Sequence, residues 1–302
     1  MTRARSRLAA LAAAVLTGAG ALVAAAPPAA AVSCQAGSTT FRGQNTTLDG
    51  NGNHVAVTAD DYGTNANTCV LDTDSGGPMG GPGTVYVTQA NATPSQTDPT
   101  SFPSTQYGCS LSFCAFGWTS QLWSSDSEHL AVTWADTYWL NPNWFLVNTA
   151  DKYDFMVDQF FGTKTGTFGG ADKKAEIEVV VFGNPSYDAI GMCHSTACDP
   201  TGPHTISGVT GTWWEKTKTA VGCNGTCSWP DYLLVRSTMT HSVSNLCMSC
   251  FRSYVNGLGG GGNLSTWNLM YEAPGFELWP AGSGTDGGLN LNTTAVAMTS
   301  EP

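Results

Sequence analysis

The chain is poor in charge, and in positive charge above all. Lys and Arg number 12 against 23 Asp and Glu, and charged side chains make up 12% of the 302 residues. A formal charge of −11 leaves little to hold phosphate backbones or anionic lipid, which sets nucleic acid and membrane surfaces aside as partners. Histidine is scarce too: His129, His194, His204 and His241 have no partner carboxylate at metal-ligand spacing, and His194 merely adjoins Cys193. They read as ordinary loop or surface residues, and neither a metal nor a cofactor is expected. No Gly-rich loop sits between a strand and a helix to cradle phosphate, and neither a nucleophile elbow nor a Ser-His-Asp order is present. Internal repeats at solenoid spacing are absent. Past Ala31, no run approaches the roughly 20 apolar residues that a membrane-spanning helix needs.

The N-terminus does carry a signal. Arg3, Arg5 and Arg7 precede an apolar run from Leu8 to Ala26, and Pro27-Pro28-Ala29-Ala30-Ala31 follows as a small-residue cleavage site. Residues 1–31 are therefore expected to be a secretory signal peptide and 32–302 a single domain, secreted and extracellular. Removing the signal leaves nine basic against 23 acidic side chains, a formal charge of −14. Ala31-Val32-Ser33-Cys34 loosely resembles a lipoprotein cleavage box. Lipidation of Cys34 would leave nine of the ten cysteines, an odd number, in an oxidising compartment.

Strand-like segments recur at His54–Thr58, Thr84–Gln89, Leu130–Trp134, Tyr153–Phe160, Glu176–Phe182, Tyr232–Ser237, Trp267–Glu272 and Leu289–Met298. Gly- and Pro-rich turn clusters separate them, as in an all-β domain. One segment has helical period: Val243, Leu246, Cys247, Cys250, Phe251, Tyr254 and Val255 recur at three- and four-residue steps, and Gly257 suits the C-terminal cap. The expected architecture is one helix packed on a large antiparallel sandwich. Cysteines fall as Cys34 and Cys69, then as close pairs Cys109/Cys114, Cys193/Cys198, Cys223/Cys227 and Cys247/Cys250. The spacing of the last four also fits a structural zinc site, but the exported context favours disulfides. Local and crossed bridges among those four are both conceivable.

Two carboxylates stand in apolar settings, in Glu176-Ile177-Glu178-Val179-Val180-Val181-Phe182 and in Gly275-Phe276-Glu277-Leu278-Trp279. Such surroundings raise a carboxyl's affinity for its proton, and glycoside hydrolysis needs one protonated and one ionised carboxyl. Strand geometry places Glu176, Glu178, Val180 and Phe182 on one face and Ile177, Val179 and Val181 on the other. By the same parity Glu277 shares a face with Gly275, Ala273 and Tyr271, opposite to Glu272. Of the ten tryptophans, Trp134, Trp139, Trp144, Trp213, Trp214 and Trp279 lie in or near strand-like segments, where indole faces can stack on pyranose rings.

These segments resemble glycoside hydrolase family 12, the secreted endo-β-1,4-glucanases with a β-jelly-roll fold. Trp267-Asn268-Leu269-Met270-Tyr271-Glu272-Ala273-Pro274-Gly275-Phe276-Glu277-Leu278-Trp279 is similar to the family's W-Y-L-x-x-x-Q-A-G-F-E-x-W strand, and Gly287-Gly288-Leu289-Asn290-Leu291-Asn292 to its G-x-G-L-x-V-N ending. Glu178-Val179-Val180-Val181-Phe182 resembles the nucleophile strand E-I-M-I-W, with Val180 at the family's Met and Phe182 at its Trp. Tyr153-Asp154 resembles the Y-D of the preceding strand. Asp61-Tyr62-Gly63 before Cys69 resembles the N-x-W-G region, and Phe102-Pro103-Ser104 with Tyr107-Gly108-Cys109 and Cys114 the C-x4-C disulfide segment.

The resemblance implies a β-jelly-roll sandwich of two antiparallel sheets, with Glu178 as nucleophile, Glu277 as general acid/base and Asp154 in contact with the nucleophile. A register on Glu176, E-I-E-V-V, is the alternative. Tyr62, Trp134, Val180 and Trp279 are the expected substrate-binding residues, and the expected partner is a β-glucan polysaccharide acted on by a monomer. Tyr62 in place of Trp, Asn184-Pro185 after the nucleophile strand, and the cysteine-stapled stretches Cys193–Cys198 and Cys223–Cys227 depart from the family pattern. A non-catalytic carbohydrate-binding jelly roll, a xyloglucan-specific enzyme and a xylan-directed hydrolase are the competing expectations.

Overall fold

The computed structural model describes residues 99, 102, 104–109, 153–164, 166–184, 186–259 and 264–279, together with the backbone of six strands outside those stretches. The signal segment, Tyr62 and the side chain of Trp134 lie outside the described residues. In chain order the strands are β1 (Thr47–Leu48), β2 (His54–Thr58), β3 (Asn67–Asp72), β4 (Val85–Asn91), β5 (Ser104–Gly108), β6 (Glu128–Asp136), β7 (Tyr153–Gly162), β8 (Lys173–Asn184), β9 (His204–Thr205), β10 (Thr212–Gly222), β11 (Cys227–Arg236), β12 (Ser242–Cys247), β13 (Asn268–Gly275) and β14 (Leu291–Ser300). Helix α1 spans Met248–Gly257. No helix among the described residues is long and apolar enough to cross a membrane.

The strands form a β-jelly-roll sandwich. Nine run in the order β1-β2-β5-β13-β7-β8-β11-β10-β9, and five in the order β12-β6-β14-β4-β3. One expectation needs correction: β8 and β11 pair parallel, so the larger sheet is mixed. The reason is topological. The chain leaving β8 passes over one strand position to make β9 and β10, and the β10–β11 hairpin then folds β11 back into the gap.

Alternation along the central strands sorts their side chains between two packed clusters. Tyr153, Phe155, Val157 and Phe161 of β7, Ile177, Val179 and Val181 of β8, and Tyr232 and Leu234 of β11 share the main core with Val243 and Leu246 of β12 and Phe251 and Val255 of α1. That core lies between the layers, where apolar burial contributes about 25 cal/mol per Å2. Met156, Val180, Leu233, Val235, Tyr271 and Ala273 point the other way into a second cluster.

Parity fails at one residue. The β7–β8 register shifts between Phe155 and Met156, pairing Phe155 with Phe182 but Met156 with Val180. Val181 is the extra residue of a bulge, and the bulge turns Phe182 to the core side, where its ring lies 5.8 Å from that of Tyr153. Phe182 therefore leaves the face it was expected to share with Glu178.

The helix also starts later than its periodicity suggests. Val243, Leu246 and Cys247 belong to β12, which pairs with β6 through a bulge between Val243 and Leu246. Asn245 there takes a φ of 55°, the left-handed conformation Asn tolerates. A two-residue alternation interrupted by a bulge mimics helical spacing over so short a run.

The last six cysteines close locally, as Cys193–Cys198, Cys223–Cys227 and Cys247–Cys250. This removes the zinc arrangement of the last four.

Candidate active site

The outward face of the larger sheet carries its acids in register. On β7, Asp158 pairs with Glu178; on β11, Asp231 pairs with Glu176 and Leu233 with Glu178; on β10, Lys218 pairs with Asp231. Asp154 pairs with Gly183 on β8, and the chain beyond β13 brings Glu277 alongside Asp154. Asp154, Asp158, Glu176, Glu178, Asp231 and Glu277 thus converge on one surface. Glu272 lies on the core side instead, paired with Gln159, as parity required.

Asp154 and Glu277 are joined through their backbones. The Asp154 N–H donates to the Glu277 carbonyl at 3.1 Å, and the Glu277 N–H donates to Asp154 Oδ1 at 3.3 Å. Asp154 Oδ2 has no hydrogen-bond partner among the described residues. The resemblance implied a contact between Asp154 and the nucleophile, whereas its one paired oxygen is spent on the Glu277 amide. Burial pushes the Asp154 carboxyl well above its ordinary range; the Glu277 amide opposes this and the Glu178 charge adds to it. Burial, then the charges of Asp154 and Glu178, likewise hold the Glu277 carboxyl far above the usual range, with Lys218 opposing. Burial and neighbouring like charge thus favour the protonated form of Glu277.

The two glutamates of β8 have different partners. Lys218 Nζ donates to Glu178 Oε2 at 2.9 Å and lies 3.0 Å from Asp231 Oδ2. Glu176 instead accepts a hydrogen bond from the Trp229 indole N–H. Burial raises the Glu176 carboxyl, with Lys173 lowering it and Glu178 raising it further. Lys173 holds its ammonium 3.1 Å from the centroid of the Phe160 ring and 4.6 Å from that of Trp229. Glu178 also raises the Glu277 carboxyl more than Glu176 does. Burial, then Glu178 and Glu176, push Asp231 up to about 9 against the pull of Lys218.

Asp158, Asp231, Lys173, Lys218 and Trp229 were not singled out from the sequence. Alternation on β7 could have flagged Asp158, which shares parity with Asp154. The others depend on which strand lies beside which, and no local pattern carries that. Oxygens of Glu176, Glu178 and Asp231 lie within 4.8 Å of one another, the one group among the described residues able to offer three metal ligands. The Lys218 ammonium already bridges two of them.

The expected substrate-binding residues fare unequally. Trp279 joins the outward-facing cluster with 8% of its surface exposed, on the side of Glu277. Trp134 sits on β6 of the five-stranded sheet, away from the sheet that holds the carboxyls. Val180 has no exposed surface, because the stapled stretch after β8 packs Tyr187, Ile190 and Cys193 into the same cluster. That takes it out of reach of a substrate. Gly183 makes the approach possible: a Cβ there would lie 2.8 Å from both Ile190 Cδ1 and Tyr187 Cδ1. Trp213 is buried in the main core against Phe251, while Trp214 packs at the margin of the outward cluster, its ring 5.8 Å from that of His194.

The fold is that of the family 12 glycoside hydrolases. The endoglucanase Cel12A from Rhodothermus marinus superposes with a TM-score of 0.56 at 18% identity, over 82% of this chain and 92% of that one. A family 12 xyloglucanase from Bacillus licheniformis gives 0.60 at 12% identity, over 88% and 99%. The xyloglucanase domain of NopAA from Sinorhizobium fredii, solved with cellobiose, gives 0.53 at 15% identity, over 82% and 92%. No protein-family sequence profile matches the chain, and no curated protein matches it by sequence.

Proposed function

We propose that the chain is a secreted, retaining glycoside hydrolase that cleaves internal β-1,4 bonds of cellulose or a related β-glucan. One observation carries this reading. On a single sheet face, burial and neighbouring charge raise the proton affinity of Glu277, while Glu178 faces an ammonium 2.9 Å away. Such contrasting surroundings support Glu277 as the acid and Glu178 as the nucleophile. Glu178 attacks the anomeric carbon as Glu277 gives its proton to the departing oxygen, and Glu277 then deprotonates the water that cleaves the glycosyl ester. Such a pair works at about 5–5.5 Å. The pairing of Glu176 with a neutral indole supports Glu178 as the nucleophile. Disulfides in Cys193–Cys198, Cys223–Cys227 and Cys247–Cys250 support an oxidising, extracellular setting.

The likeness to the Bacillus licheniformis xyloglucanase, over 99% of its length, supports xyloglucan as the second candidate substrate. The test is reducing-sugar release from carboxymethylcellulose, mixed-linkage glucan, xyloglucan and xylan, with Glu178→Ala and Glu277→Ala as controls. Proton NMR of the first product follows the anomer. Release of β-anomer by the wild type alone is the expected result. Binding without release would make the protein a carbohydrate-binding jelly roll, and α-anomer would exclude retention.

A further inference from the structure

Six carboxyls crowd the outward face: Asp154 and Asp158 on β7, Glu176 and Glu178 on β8, Asp231 on β11, and Glu277 beyond β13. Two ammonium groups among the described residues act on them. Lys173 acts on Asp158 and Glu176, from its place over the Phe160 and Trp229 rings. Lys218 enters from β10. It is registered opposite Asp231, yet it reaches past that residue to a carboxyl on the next strand, making contacts of 2.9 Å to Glu178 and 3.0 Å to Asp231.

The exposures describe a charge delivered from the rim. The Lys218 side chain is 41% exposed, against 11% for Glu178 and 2% for Asp231. The side chain stays partly in solvent while its ammonium meets two buried acids. Burial opposes the Lys218 charge, but Glu178 and Asp231 outweigh it and hold the ammonium protonated beyond the ordinary lysine range. Among the described residues Asp231 Oδ1 has no hydrogen-bond partner, and Asp231 Oδ2 is held by Lys218.

We propose that Lys218 is the positioning residue of the nucleophile: its ammonium fixes the Glu178 carboxylate and offsets the surrounding acids until attack. This rests on the assignment of Glu178 as nucleophile. During attack a Glu178 oxygen forms the bond to the anomeric carbon, the bond to the leaving oxygen breaks, and that oxygen takes the Glu277 proton. Glu178 then carries no charge, and the ammonium is left with Asp231. When water releases the sugar, the carboxylate returns and Lys218 re-forms the contact. Asp231 thereby acts as the alternate seat that keeps Lys218 in place between the two steps.

The experiment compares pH profiles of kcat/KM on the best substrate of the panel. Lys218→Met should lower kcat/KM on the order of 100-fold and move the acid limb to higher pH by about one unit or more, the effect of losing an opposite charge at this distance. Lys218→Arg should hold the limb in place. Asp231, pushed up to about 9, is neutral across the acid limb, so Asp231→Asn should leave the limb in place. A folded Lys218→Met protein with an unmoved acid limb overturns the proposal. If Lys218→Met does not fold, Lys218→Gln takes its place, and an unmoved limb there overturns it instead. A second readout is independent of turnover. In protein labelled with 15N-lysine, the Lys218 ammonium should give a slowly exchanging signal that Glu178→Gln shifts without abolishing, since Asp231 still holds it. An unshifted signal overturns the proposal even in an active enzyme, whereas a shifted signal in a protein that hydrolyses no glucan sinks only the functional reading.

Discussion

Glu272 and Glu277 lie in one stretch of chain and face opposite sides of the larger sheet, and their company differs accordingly. On the core side Glu272 is fully buried, and its nearest polar neighbour is Gln159, whose amide donates to it. Burial raises its carboxyl to about 7, with the Gln159 bond opposing. On the outer side Glu277 shares its surroundings with Asp154 and Glu178, whose charges add to burial in pushing its carboxyl well above the ordinary range. A single buried acid can be accommodated as a neutral group with one amide partner. A crowd of acids cannot be explained that way, because each added like charge makes ionising the others harder. Crowding relieved by lysines is what a site that must keep one carboxyl protonated and another ionised requires.

The largest expected effect falls within the outer face. Glu178→Gln should lower glucan turnover by about a thousandfold or more, since it removes the attacking oxygen. Glu176→Gln, which can still accept the Trp229 N–H, should stay within about tenfold of wild type in the same assay. Equal losses would erase the distinction between the two β8 glutamates, and a larger loss at Glu176 would reverse it. On the inner face, Phe276→Ala should destabilise the fold by about 3–5 kcal/mol in urea titrations. Its ring lies 5.0 Å from that of Phe155 and 6.5 Å from that of Tyr153. A cost near zero would mean that the inner face does not depend on this residue.

Glu272→Gln gives the smallest and sharpest comparison. The folded state binds the Glu272 proton more tightly than the unfolded chain does, so wild-type stability falls as pH rises from about 4.5 through about 7. The glutamine variant lacks that loss. Its stability relative to wild type should rise across this window by about 1–3 kcal/mol, read from melts at successive pH values. A flat difference would show that Glu272 holds no raised proton affinity.

Much of this was legible in the run of residues. Alternation in Ala175 to Val181 put Ile177, Val179 and Val181 on one side and Glu176 and Glu178 on the other, and the sheet keeps that division. The same parity separated Glu277 from Glu272. What failed did so where the backbone adds a residue. The bulge at Val181 reverses Phe182, and the bulge in β12 lends a strand the spacing of a helix. Strand β10 was missed because it reads Thr-Trp-Trp-Glu-Lys-Thr-Lys-Thr, with few apolar positions and mostly exposed or half-buried side chains. Val180 was expected to meet substrate, but a loop distant from it in pattern, stapled by Cys193 and Cys198, lies in its cluster.

The sequence by itself determined which side of each strand a side chain takes, because a period of two is a local property of extended backbone. It determined the all-β character for the same reason, whereas the candidate pair Glu178 and Glu277 came from the family resemblance. Only the tertiary structure decided that β11 lies beside β8 with β10 on its far side, so that Lys218 and Asp231 meet Glu178, and that Trp229 meets Glu176. Strand neighbours are chosen by burial and hydrogen bonding summed over the whole sheet. A charge pair between β8 and β10 is therefore invisible until the sheet is assembled.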